Sequence, residues 1–135
     1  MRVLALDYGS ARCGCAVSDP TGTLATPIEA VVRPGTKKGL ARLGALVRER
    51  EVGRVVVGLP LGLSGEDTAQ TGEARAFAVR LGELLGAEVP ISLYDERFTT
   101  RIAQQAGGRA TSEDSRAAAV LLEDWLARHG EELVR

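Results

Sequence analysis

Residues 2–19 constrain the fold most, because they set a single acid between two short apolar runs. Residues 3–6 form the first run, Asp7 ends it, and residues 13–17 form the second run after a link that contains Gly9. Runs this short, joined by a tight link, predict two buried strands of a hairpin. A carboxylate at the end of a buried strand is costly unless a cation meets it. Asp7 is therefore the first candidate for a functional side chain.

The rest of the chain predicts a mixed α/β sheet. Short turns such as residues 19–22 join the first three strands and indicate an antiparallel meander, while Pro27 suggests an edge or a bulge position in the third strand. The strand–helix–strand order that follows predicts parallel pairing through right-handed crossovers. We therefore expect one domain over residues 1–135, with a mixed five-stranded sheet flanked by helices on both faces. The predicted strands are 2–8, 12–18, 23–32, 54–58 and 89–94, and the predicted helices are 37–51, 68–86 and about 113–128, with a short helix from about Thr99.

Apolar stripes at helical spacing predict the core, and the two cysteines are predicted to join it. Cys13 and Cys15 lie two residues apart in a strand, which matches neither a redox CxxC pair nor a zinc spacing. We expect them to be small buried side chains in a reducing compartment. The stripes are Leu40, Leu43 and Val47 in the first helix, Ala74, Phe77, Ala78, Leu81, Leu84 and Leu85 in the second, and Ala118, Leu121, Leu122 and Trp125 in the last.

The charge balance restricts the classes of partner. The chain has 17 basic and 18 acidic residues, so any surface that binds nucleic acid must be local. No stretch has the length of a signal peptide's apolar core or of a membrane span. We therefore expect a cytoplasmic protein that has no membrane partner.

Three acids from distant parts of the chain are predicted to meet at one edge of the sheet. Asp7 ends the first strand, and Glu96, beside Asp95, ends the last; the carboxyl ends of parallel strands lie together. Asp114 is four residues before Ala118 and shares its stripe, which faces the sheet. Hard divalent cations such as Mg²⁺ and Mn²⁺ prefer such oxygen ligands. Metal ions held by carboxylates are used to hydrolyse phosphodiesters.

Each acid also has an interpretation that involves no metal. Asp7 suits a turn, and the strand end at Glu96 suits an exposed ion pair with Arg97. Asp114 suits the first turn of a helix, where it would cap the helix together with Thr111 and favour the helix dipole. Spacing alone leaves these interpretations open.

Three arginines and two glycines are candidates for contacts to nucleic acid. Arg12, Arg97 and Arg101 lie close in sequence to the acids and suit phosphate contacts, although salt bridges to those acids explain them equally well. Gly62 and Gly65 follow the fourth strand in a loop that lacks both the GxxxxGK[ST] and the GxGxxG patterns. We expect these glycines to allow a tight turn, while their backbone amides could still meet a phosphate.

Four motifs carry a resemblance to a known family. They are LDYGSARCGCAVSD, VVVGLPLGLSG, DERFTT and DSRAAAVLLEDWL, which span nearly the whole chain. Together they resemble the YqgF/RuvX-type nucleases of the ribonuclease H-like superfamily. The resemblance implies a metal-dependent nuclease whose ligands are Asp7, Glu96 and Asp114, with Asp95 replacing Glu96 if the strand register differs by one residue.

The resemblance also implies a mechanism and a class of substrate. Asp7 would be shared by two metal ions, with Glu96 and Asp114 each holding one side. The family is described as processing the 5′ end of precursor 16S ribosomal RNA, and resolution of Holliday junctions has also been proposed for it. Structured RNA is therefore favoured over branched DNA, with the chain a monomer or a homodimer. The rivals are a nucleotide binder of the sugar-kinase or actin type, which LDYGS also resembles, and a non-catalytic RNA-binding factor of ribosome assembly.

Overall fold

The computed structural model describes residues 1–96 and 113–129, which form five strands and three long helices. Every predicted strand and the three long predicted helices are present, so the α/β prediction is confirmed. The short helix predicted from Thr99 lies outside the described residues. The elements are β1 (Arg2–Asp7), β2 (Arg12–Ser18), β3 (Ala25–Val32), α1 (Lys37–Glu49), β4 (Val52–Leu59), α2 (Ala69–Leu85), β5 (Ile91–Asp95) and α3 (Glu113–His129).

The five strands form one mixed sheet in the order β3-β2-β1-β4-β5. The pairs β1–β2 and β2–β3 are antiparallel, whereas β1–β4 and β4–β5 are parallel. Pro27 lies on β3, an edge strand of this sheet, as predicted. Four strands, β1, β3, β4 and β5, therefore run in the same direction and end at one edge, called here the carboxyl edge.

Side chains of β1 alternate between two cores, one on each face of the sheet. Leu4 and Leu6 pack against α1 and α2, and Val3 and Ala5 pack against α3. Cys13 and Cys15 are free cysteines that belong to the first core, as predicted. The second core also contains Ala16, Val56, Ala118, Ala119, Leu121, Leu122, Trp125 and Leu126.

The helix stripes are buried as predicted, except at Leu84 and at Leu85, which is only partly buried against the first core. Leu84 is 53% exposed, so its assignment to the core is wrong. Its side chain lies against Gly44 of α1, where α1 and α2 meet, instead of pointing into the core.

Within the described residues, no helix is long and apolar enough to cross a membrane.

The turn between β2 and β3 is held by Asp19, which follows the last residue of β2. Its carboxylate accepts hydrogen bonds from the backbone N–H groups of Thr23 (2.8 Å) and Leu24 (2.9 Å) and from the hydroxyl of Thr21. These bonds favour the charged form and lower the pKa of Asp19 to about 2. The residue types at positions 19–22 therefore predicted a turn that the structure contains.

Candidate active site

Asp7 is placed on the α3 face of the sheet by the alternation of β1. Val3 and Ala5 lie on that face, so Asp7, two residues further on, continues their row. The cross-strand partner of Asp7 on β2 is Gly14, and Gly58 of β4 lies one residue beyond the paired Leu6 and Val57. The acid is thus flanked on both neighbouring strands by residues without side chains.

Glu96 follows β5 directly and reaches Asp7 across β4. Its carboxyl group is hydrogen-bonded to that of Asp7 and passes over Gly58, where an added Cβ would lie only 2.2 Å from Glu96 Oε1. Glycine at position 58 is therefore a requirement of this contact. Asp95 stands one residue earlier and adds negative charge near Glu96. The acid at the end of β5 that meets Asp7 is thus Glu96, as the predicted register requires.

Burial and like charge hold a proton on the Asp7–Glu96 pair. Burial, which is the largest cause, the hydrogen bond to Asp7 and the negative charges of Asp7 and Asp95 together raise the pKa of Glu96 to about 9. At neutral pH the Glu96 carboxyl of the metal-free chain is therefore protonated and donates to Asp7. In such a pair the proton reduces the repulsion between the two carboxyl groups. A bound cation would reduce the same repulsion.

Gly58→Ala is expected to separate the two acids without unfolding the protein. The added Cβ collides with the end of a flexible side chain, so Glu96 can swing away while the strand stays in place. A displacement of about 1 Å in a catalytic group costs on the order of 10²-fold in rate. We expect the cleavage rate to fall by about that factor, with circular dichroism unchanged.

Gly72→Ala is the matched control for that substitution. Nothing lies within 4 Å of a Cβ placed on Gly72, which lies in the interior of α2. Alanine there should raise stability by roughly 0.5–1 kcal/mol and leave the cleavage rate unchanged. Equal losses of activity in the two variants would contradict the role assigned to Gly58.

The two acids open into a cleft of about 250 Å³ at the carboxyl edge. Two polar side chains of α2, Gln70 and Glu73, line this cleft, and neither was predicted from the sequence. The signal that could have found them is their spacing, because positions 70 and 73 share one face in the first turns of a helix that starts at this edge. The cleft is lined by Asp7, Tyr8, Gly9, Ser10, Pro60, Gln70, Glu73 and Glu96.

The start of α3 is attached to β2 beside Asp7. The hydroxyl of Ser115, which is fully buried, accepts a hydrogen bond of 3.2 Å from the backbone N–H of Cys15. Cys15 follows Gly14, the cross-strand partner of Asp7. Position 114, in the first turn of α3, is thereby brought to the same region of the sheet as Asp7. The side chain of Asp114 lies outside what the structure describes.

The candidate contacts to nucleic acid have different outcomes. Arg12 is exposed at the start of β2, and the turn between β1 and β2 separates it from Asp7. Gly62 and Gly65 form the predicted tight turn, since the N–H of Gly65 donates to the carbonyl of Gly62 at 2.9 Å and Gly65 has a φ of 85°. Arg97 and Arg101 lie outside the described residues.

The donor set at the carboxyl edge fits a hard divalent cation. Asp7 and Glu96 supply carboxylate oxygens, the ligand type that Mg²⁺ and Mn²⁺ prefer, and the raised pKa of Glu96 reflects burial and the negative charges of Asp7 and Asp95 beside it. Within residues 1–96 and 115–129, where side chains are described, no three metal-ligating side chains form a complete group. A third ligand would therefore have to come from elsewhere in the chain, and position 114 is suitably placed.

The fold is that of RuvC, as comparison with solved structures shows. Thermus thermophilus RuvC superposes with a TM-score of 0.55 at 17% identity, covering 96% of this chain and 97% of RuvC. RuvC of the same organism in complex with a Holliday junction substrate gives a TM-score of 0.57 at 19% identity, with 96% of each chain covered. At these identities the likeness establishes the fold alone.

The chain belongs to the RuvX family, whose model, described as "Holliday junction resolvase", matches residues 1–128. A relative from Mycobacterium leprae is 45% identical over 139 residues, covering 93% of this chain and 72% of the relative. A relative from Anaeromyxobacter is 41% identical over 140 residues, covering 96% and 99%. Both carry the name "Putative pre-16S rRNA nuclease". The chain is accordingly a nuclease, a hydrolase that acts on phosphodiester bonds. The family match over residues 1–128 also rules out a nucleotide binder of the sugar-kinase or actin type.

Proposed function

We propose that this nuclease is metal-dependent and that Asp7, Glu96 and Asp114 hold Mg²⁺ or Mn²⁺ at the carboxyl edge. The observation that carries the proposal is the hydrogen-bonded carboxyl pair of Asp7 and Glu96 in a cleft at the ends of parallel strands. The bond from Cys15 to Ser115 supports the inclusion of Asp114, because it fixes the first turn of α3 beside Asp7.

The residues of the site have separate tasks in this proposal. A divalent cation bound there would lower the pKa of a water molecule and offset the charge that develops on the departing oxygen. Asp7 and Glu96 supply the negative charge that holds the cation, for which Glu96 must release its proton. Gly58 leaves the space that lets Glu96 stand beside Asp7.

Structured RNA is the proposed substrate, and the proposed reaction is maturation of the 5′ end of precursor 16S ribosomal RNA in the cytoplasm. The names of the relatives support this assignment. Branched DNA is the second candidate, because the family description is that of a Holliday junction resolvase. Cutting both strands of a junction would call for a symmetric homodimer, whereas trimming an RNA end requires only a monomer.

A direct comparison of substrates tests the assignment. A precursor 16S fragment and a four-way DNA junction would be incubated with the chain in the same buffer, first with Mg²⁺ and then with Mn²⁺. We expect the RNA to be cut at least tenfold faster, about 1.4 kcal/mol in the barrier. A tenfold preference for the junction would contradict the RNA assignment but not the assignment of the chain as a nuclease. Tight binding with no cleavage of either substrate would favour the non-catalytic assembly factor.

A further inference from the structure

We propose that Arg12, Arg33, Lys37, Lys38 and Arg80 form a surface that binds the phosphate backbone of the substrate on the β3 side of the cleft. These five residues are called the basic surface below. The inference rests on the proposed function in one respect, which is that the cleft at Asp7 is where a phosphodiester is cut. The inference adds the path that the nucleic-acid strand follows as it leaves that cleft.

The basic surface lies at the carboxyl edge because β3 ends there. Arg12 pairs with the last residue of β3, and the N–H of Arg33 donates to the carbonyl of Ala11 at 2.9 Å. The turn after β3 is therefore bonded to the β1–β2 turn that follows Asp7. Helix α1 begins directly after this turn and places Lys37 and Lys38 in its first turn. Cations from three separate segments thus lie on one side of the site.

Tyr8 and Gly35 connect this surface to the cleft. Tyr8 lines the cleft, and a Cβ placed on Gly35 would lie 3.5 Å from Tyr8 Oη and 3.8 Å from Arg80 Nη1. Arg80 and Lys37 in turn line a groove of about 420 Å³ between α1 and α2. A chain leaving the cleft across Tyr8 would therefore meet Arg80 and Lys37 in succession. The surface is continuous with the site of cleavage.

Four of the five charges of this surface are available to a partner. Lys37 and Lys38 are the only lysines of the chain, and both are exposed. Across residues 1–96 and 113–129, Arg33, Lys37, Lys38 and Arg80 enter no ion pair, whereas ion pairs elsewhere in these ranges join Arg42 to Glu49, Arg75 to Asp67 and Arg128 to Asp124. A chain with a net charge of −1 thus places four cations that enter no ion pair on this side of its cleft, and Glu83 lines the groove beside Arg80 and Lys37. Such a local excess of positive charge is the feature that attracts a polyanion.

The backbone of Arg33 adds an independent observation. Its φ of 47° lies in the left-handed region, which favours glycine or asparagine over arginine. The turn is fixed around it, because its carbonyl accepts hydrogen bonds from the N–H (3.1 Å) and the hydroxyl (2.8 Å) of Thr36. The exposed side chain of Arg33 is therefore carried by a turn whose backbone is held in place by these bonds.

Substituting the two lysines tests the basic surface. The variant Lys37→Gln/Lys38→Gln would be compared with Arg48→Gln/Arg50→Gln, which removes the same charge at the other end of α1. Fluorescence anisotropy in EDTA would measure binding of single-stranded RNA, DNA of the same sequence and a four-way DNA junction, between 50 and 200 mM salt. For the lysine variant we expect Kd to rise about three- to tenfold and the slope of log K against log salt to shrink by about 1.4 on the single strands. The control should bind like the wild type.

The outcomes separate this proposal from the proposed function. A loss of affinity on all probes supports a backbone-binding surface, and a loss on RNA alone or on DNA alone supports it and identifies the substrate. Unchanged affinity and salt slope in the lysine variant would overturn the proposal, as would an equal change in the control. Because these measurements need no cleavage, they remain readable even if Asp7→Asn proves fully active and the proposed catalytic site fails.

Discussion

Asp7→Asn is expected to reduce nuclease activity by about 10³-fold or more, equivalent to about 4 kcal/mol in the activation barrier. Asp7 is hydrogen-bonded to Glu96 and lies beside the start of α3. An amide of the same shape removes half of the pair's ionisable charge and with it the attraction for a divalent cation. The measurement is the single-turnover rate of cleavage of the preferred substrate in Mg²⁺ and in Mn²⁺.

The fold should survive this substitution. Asparagine preserves the volume at position 7 and can still hydrogen-bond Glu96, and it removes the negative charge of Asp7 that raises the pKa of Glu96. We expect the unfolding midpoint of Asp7→Asn in EDTA to be no lower than that of the wild type. Full activity in this variant would refute the assignment, whereas inactivity combined with a large drop in the midpoint would show only that the fold was damaged.

Stability of the metal-free protein is expected to fall as the pH rises from about 5 to about 9. The folded chain keeps a proton on Glu96 up to a pKa of about 9, whereas the unfolded chain releases it near the ordinary value of 4.5. Between these values the native state binds more protons than the unfolded state, so raising the pH favours unfolding. The slope cannot exceed about 1.4 kcal/mol per pH unit for a single proton.

Urea unfolding in EDTA at several pH values measures this slope, and Glu96→Gln is the control. The variant cannot titrate at this position, so its stability should be flat across the window. Two other shifted groups lie outside it, because Asp19 has a pKa of about 2 and Tyr94 one of about 12, the latter raised by burial and by the hydroxyl's bond to Asp124. Stability that rises with pH in the wild type, or an equal slope in Glu96→Gln, would contradict the shared proton.

The sequence predicted the sheet because its signals are local. Apolar runs, turn residues and helical stripes each depend on neighbours within one or two turns of chain, and the burial of Cys13, Cys15 and Trp125 followed from them. The convergence of Asp7 and Glu96 was also accessible, because both end strands that run in the same direction.

What could not be predicted depends on how side chains cross between elements. No local pattern shows that Glu96 passes over Gly58, since the two residues lie on different strands. Leu84 was wrongly assigned to the core because two adjacent apolar positions, 84 and 85, point in different directions from a helix. The grouping of Arg12 with Arg33 escaped notice for a similar reason, because the turn after β3 meets the turn before β2 only through the pairing of these two strands.

The most direct test of the central claim is whether Asp7, Glu96 and Asp114 hold one metal site. Thermal unfolding would be followed with and without Mn²⁺ for the wild type and for Asp7→Asn, Glu96→Gln and Asp114→Asn. A ligand that binds only the folded state at 100 times its Kd stabilises it by about 2.7 kcal/mol, enough to raise the midpoint by several degrees in a chain of this size. We predict that the wild type shows this Mn²⁺-dependent rise and that all three variants lose it. A wild-type rise that persists undiminished in Asp7→Asn or in Asp114→Asn would contradict the claim.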